Sequence, residues 1–101
     1  MFGKYEICVR VKSQQGTCAA GHRVGDEVRI GDKSVRGDIC LSALTSMLPK
    51  VYAMYYDCQF PWLNNKFIAT HPCPDEDNPV IFEIERIPKI DLLQISNQNA
   101  E

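Results

Sequence analysis

No run of residues in this chain is long and apolar enough to cross a bilayer, which argues against a membrane protein. Basic residues are not in excess either. The formal net charge of −2 provides no electrostatic footprint for a phosphate backbone, so nucleic acid is not expected as a partner. The opening residues, Met1 to Glu6, lack the apolar core and small-residue cleavage site of a signal peptide, and a cytoplasmic location is expected. There is no internal repeat and no linker-like stretch. No paired C-x-x-C knuckle occurs, which removes the common zinc-finger and ribbon patterns and the thioredoxin-type redox motif. An odd number of cysteines, five, counts against a disulfide framework.

What is present is ordinary globular material. The chain has 101 residues, 45% apolar and 24% charged, enough for a single core and a single domain over residues 1–101. Residues 5–12 alternate, with Tyr5, Ile7, Val9 and Val11 on one face and Glu6, Cys8, Arg10 and Lys12 on the other, the pattern of a half-buried strand. Cys8 is thereby separated from the core-side cysteines. Gly25-Asp26 opens a short strand over 27–30 that the Gly31-Asp32 turn closes, and 33–37 reads as a polar loop. Asp38 is a suitable N-cap for a helix over 39–48, whose inward stripe of Cys40, Leu44 and Met47 continues to Val51 and Tyr55. Pro49 either kinks that helix or begins a second short one. Residues 66–70 read as a strand, and 71–79, with three prolines, as irregular. Residues 80–87 alternate again with Val80, Phe82 and Ile84 inward, which makes 66–87 a hairpin with the proline-rich loop at its tip. From Pro88 a tail carries Ile90, Leu92, Leu93 and Ile95 before turning polar. The fold expected is α+β: a small, mostly antiparallel sheet with one helical segment packed on it.

The chemistry-bearing residues are soft donors. Cys18 and His22 lie four residues apart in one turn-like segment, close enough to chelate a single ion, and Gly21 lets the backbone fold sharply there. Cys40 stands at a helix start, where first-turn amides favour a thiolate. Cys73 is held between two prolines and costs little entropy to order. Three thiolates and an imidazole make a closed tetrahedral site suited to zinc, and thiolate-rich tetrahedra also suit iron. His71, two residues from Cys73, is a competing ligand; Asp26 and Asp75 are candidates for the shell behind the ligands. Metal-free buried thiols and thiol redox chemistry are the competing readings of the same residues. Cys58 reads as a partly exposed spare thiol.

Several of these segments together resemble a small family of uncharacterised prokaryotic proteins of about this length. The resemblance rests on Cys18-Ala19-Ala20-Gly21-His22-Arg23-Val24-Gly25-Asp26 (C-x-x-G-H-x-x-G-D), Ile39-Cys40, Phe60-Pro61-Trp62, and Cys73-Pro74-Asp75 followed by Asn78 through Ile87. It covers nearly all the chain except the last dozen or so residues. It implies that Cys18, His22, Cys40 and Cys73 belong together, and it sets Cys58 apart, because relatives show G-G before x-F-P-W where this chain has Asp57-Cys58. Two departures stand out: Ala19 replaces a proline after the first cysteine, and Leu41-Ser42 replaces P-W after Cys40. The second changes the helix start.

Three functions follow from these readings. One is a binding module stabilised by a Cys3His metal site, with Phe60 and Trp62 as a contact surface for a protein or small-molecule partner. Another is a zinc or iron enzyme, or a redox protein, that uses an open position at the same site. The last is a metal-free thiol redox protein with Cys40 as nucleophile. Exposed sheet edges also allow a homo-oligomer.

Overall fold

The computed structural model describes residues 4–18, 20–31 and 34–90. Five strands and one helix follow in the order β1 (Tyr5–Gln14), β2 (Glu27–Ile30), β3 (Val35–Arg36), α1 (Leu41–Tyr55), β4 (Ile68–Pro72) and β5 (Val80–Pro88). The strands form one sheet in the order β3-β2-β1-β5-β4, antiparallel throughout. A five-stranded antiparallel sheet with a single helix on one face is the α+β architecture that the alternating segments predict.

β1 sits at the centre because its inward side chains are matched on both flanks. Val9 lies opposite Val28 of β2 and Ile84 of β5, and Val11 lies opposite Phe82. The helix covers this face with Ala43, Met47, Val51, Met54 and Tyr55, all buried, at the three- and four-residue spacing that keeps side chains on one stripe. Each of the larger apolar side chains contributes about 1.5–3 kcal/mol on full burial.

Four boundaries differ from the sequence expectation. The helix starts at Leu41 with Cys40 at the N-cap position, and Asp38 does not cap it. It then runs through Pro49 as one element to Tyr55. Thr45, whose carbonyl Pro49 leaves without an intrahelical donor, lies on the solvent side together with the proline itself. Val35–Arg36 pairs with β2 instead of remaining a loop. His71 and Pro72 extend β4, which is tolerable because β4 is an edge strand and a proline there removes no ladder bond. Both sheet edges are thus blunted, one by a strand of two residues, the other by a terminal proline. Residues 91–101, including Leu92, Leu93 and Ile95 of the expected amphipathic tail, lie outside the described residues.

The alternation of β5 does not stop at Ile84. It places Arg86 inward as well, only 2% exposed, beneath the C-terminus of α1. Its Nη1 donates to the carbonyls of Cys58 at 2.7 Å and Met54 at 3.2 Å, and its guanidinium lies over the rings of Tyr5 and Phe67. Beside it the chain leaves the helix in a Schellman turn, with Cys58 N–H donating to the Ala53 carbonyl and Asp57 N–H to that of Met54. The turn puts Asp57 at φ +69°, a left-handed conformation that a non-glycine residue pays for. Its carboxylate accepts from Tyr5 Oη at 2.8 Å, Lys4 Nζ at 2.9 Å and Gln59 Nε2 at 3.0 Å.

Replacing Arg86 with alanine takes the donor from the Cys58 carbonyl, removes one of the donors to the Met54 carbonyl, and empties the space between two rings. A loss of about 2–4 kcal/mol is expected in urea denaturation; a variant as stable as wild type would show that the buried cation is dispensable. The hydrogen bond from Lys4, followed by that from Tyr5, holds the Asp57 carboxyl below its ordinary value. A depressed carboxyl stabilises the fold above its unfolded value of about 3.9 and loses that contribution as pH falls through the lower folded value. Melting temperatures followed downward from pH 5 should therefore fall less steeply for Asp57→Asn than for wild type. Parallel curves would exclude Asp57 as a source of the acid limb.

Candidate functional site

Antiparallel pairing sends the β1–β2 loop and the β4–β5 loop to the same end of the sheet. β3 runs back to that end too, so α1 begins there. The topology therefore gathers Cys18 and His22 from the first loop, Cys40 from the helix start and Cys73 from the second loop, although up to 55 positions separate them in sequence. All four line one cavity of about 350 Å³, whose wall also includes Ala43, Val80 and Phe82. No group of three or more His, Cys, Asp or Glu side chains among the described residues stands close enough to hold an ion. The walls have to draw together before the sulfurs can share one.

The two loops are fastened to each other. Asn78 Oδ1 accepts from the Thr17 amide at 3.0 Å, and the Pro79 carbonyl accepts from the Gln15 amide at 3.0 Å. Gly16, at φ +69°, lies so close to Asn78 that a Cβ there would collide with the Asn78 side chain. Asp75 folds its own loop by accepting from the amides of Asp77 and Asn78 at 3.0 and 3.2 Å.

Each sulfur has a distinct setting. Cys73 Sγ accepts from the Val80 amide at 3.2 Å, the kind of contact that supports a ligating sulfur from behind. Cys40 occupies the N-cap position of α1 without a side-chain cap and with no acidic residue in the first helical turn. Its own amide donates to His22 Nε2 at 3.0 Å. His22 is 8% exposed and packs edge-on against the Phe82 ring at 5.6 Å. This helix-start bond was not foreseen from the sequence, where C-x-x-x-H spacing signalled only a chelate.

The remaining candidates separate from the cavity. Asp26 accepts from the Arg23 amide at 3.0 Å and lines a smaller recess on the other side of His22; Asp75 alone of the proposed supporting carboxylates borders the cysteine cavity. His71 faces away from Cys73's cavity into a groove shared with Phe60 and Trp62. There its Nε2 lies 3.0 Å from Ser46 Oγ, whose oxygen is also 2.9 Å from the Ala43 carbonyl. The buried Nδ1 is left without a partner. Burial, reinforced by the charge of Lys50, pulls His71 below the ordinary histidine value. Phe60 and Trp62 stack at 4.9 Å; Phe60 packs against the core and Trp62 is 69% exposed.

Cys8 and Cys58 are elsewhere. Cys8 is fully buried under the outer face of the sheet, beside the Arg10 guanidinium that also pairs with Glu27, Glu83 and Glu85. Burial pushes its thiol up. Cys58 is exposed on the Schellman turn at the opposite end of α1.

No protein-family model, no curated protein and no solved structure matches this chain. No helix among the described residues is long and apolar enough to cross a membrane.

Asn78→Ala removes the acceptor that ties the first loop to the second. It is expected to cost about 0.5–1.5 kcal/mol and to speed alkylation of Cys18 while Cys8 stays protected. Peptide-resolved mass spectrometry of iodoacetamide labelling reads this directly. An unchanged Cys18 rate would mean the loop is held by other contacts.

Proposed function

We propose that this protein is a binding module that holds a soft divalent ion, zinc or iron, in the cavity shared by Cys18, His22, Cys40 and Cys73. The observation that carries the reading is convergence. Four soft donors at positions chosen for their chemistry, from three separate segments, border one cavity at one end of the sheet. Core cysteines need not do that. The contact from the Val80 amide to Cys73 Sγ supports the same reading, because such donors offset the excess charge of a thiolate-rich ion. An ion here would cross-link the two loops to the helix start, adding stability to a domain of modest core size. The stacked pair of Phe60 and Trp62, with Trp62 turned to solvent, is the contact surface proposed for a partner.

Untagged protein purified without added metal should carry near-stoichiometric zinc or iron by mass spectrometry. Cys73→Ser should lose it, while Cys58→Ser, which alters a thiol far from the cavity, should keep it. A visible absorption band would identify iron; a colourless protein that releases its ion on thiol modification would identify zinc. Folded, monodisperse protein without metal would sink the reading and move attention to Cys40 as a redox thiol.

A further inference from the structure

The groove between α1 and β4 presents a prepared aromatic face. Trp62, the only tryptophan in the chain, stacks on Phe60 at 4.9 Å with the two rings 12° from parallel. Phe60 packs against the core, and its carbonyl accepts from Lys66 Nζ at 2.7 Å and the Leu63 amide at 3.2 Å. The ring behind the indole is therefore held, while Trp62 itself stays 69% exposed. A flat face propped from behind and open at the front takes another ring without reorganising. The groove in front of it measures about 350 Å³. That is the lower end of the about 300–1,000 Å³ typical of ligand pockets, and it suits one small molecule rather than a length of chain.

Charge decides what kind of ring enters. The wall carries Lys50 and no carboxylate. Lys4, Arg10, Arg29 and Arg36 each pair with an acidic side chain. Lys50 Nζ instead donates to the Thr70 carbonyl at 2.8 Å, and among the described residues it has no acidic partner. An ammonium has three donors, so others remain for a ligand. Burial, with the charge of Lys50 behind it, holds His71 below the ordinary histidine value, so at neutral pH Lys50 supplies the positive charge here. We propose that this groove binds a small aromatic carboxylate, whose ring stacks on Trp62 and whose carboxylate pairs with Lys50. The proposal rests on the reading of Phe60 and Trp62 as a contact surface and gives that surface its ligand. It does not involve the ion, because the groove shares no residue with the cavity of Cys18, Cys40 and Cys73.

A single tryptophan gives a single indole N–H signal in a nitrogen–proton correlation spectrum, and a ring stacked on it must move that signal. Benzoate is the probe, and it should shift the indole signal of the wild-type protein saturably. Benzamide keeps the ring without the charge; cyclohexanecarboxylate keeps the charge without the flat ring. Each should bind at least about tenfold more weakly than benzoate. Lys50→Met should weaken benzoate by a similar factor and leave benzamide unchanged. An indole signal that ignores benzoate, or that responds equally to either analogue, overturns the inference. A partner protein that shifts the signal where benzoate does not would leave the contact surface standing and sink only its assignment to a small aromatic carboxylate.

Discussion

The backbone groups at the two ends of α1 have to find partners, and in this molecule buried side chains supply some of them. At the start, the amide of Cys40 is accepted by His22; at the end, the carbonyls of Met54 and Cys58 are served by Arg86. Helix ends leave four donors and four acceptors outside the intrahelical ladder, and burying any of these unpaired costs about 1–3 kcal/mol. The two contacts therefore do more than anchor the helix. They fix its axial position on the sheet, and with it the place of Cys40 at one end and of the Phe60–Trp62 loop beyond the other.

The two ends are not equally closed. Around Arg86 lie two carbonyls that accept from Nη1, two aromatic faces, and a turn whose carboxylate gathers Tyr5, Lys4 and Gln59, while the buried Nε of Arg86 has no hydrogen-bond partner among the described residues. Even the left-handed Asp57 is compensated by these bonds. Around Cys40 the first turn carries neither a side-chain cap nor an acid, and a cavity remains between the loops. A domain of 101 residues has little stability to spare. The helix is thus fastened by buried side chains at one end and borders a cavity at the other.

The sheet was legible because period two survives in β1, β2 and β5, and antiparallel pairing of those faces leaves few alternatives. The gathering of Cys18, His22, Cys40 and Cys73 at one end follows from the same topology. The helix start was not legible, because Asp38 has the right chemistry for a cap but the turn is held from outside by His22, eighteen positions earlier in sequence. Arg86 escaped for a related reason: a charged residue interrupts an apolar alternation, and only the arrival of the helix C-terminus makes it an inward position. At Asp57 nothing in the side chain announces φ +69°, a conformation that glycine adopts without strain.

The five cysteines are sorted by the neighbours they meet. Cys8 is sealed under the ion pairs of Arg10, where burial keeps it a thiol. Cys58 rides exposed on a helix-terminal turn. Cys18, Cys40 and Cys73 border one cavity at the helix start. Sequence spacing groups His22 with these three, but spacing counts side chains, whereas coordination counts lone pairs. The imidazole has one to give in its neutral form, and the Cys40 amide already occupies it. That bond ties the imidazole to the start of α1, so His22 serves the helix as well as lining the cavity.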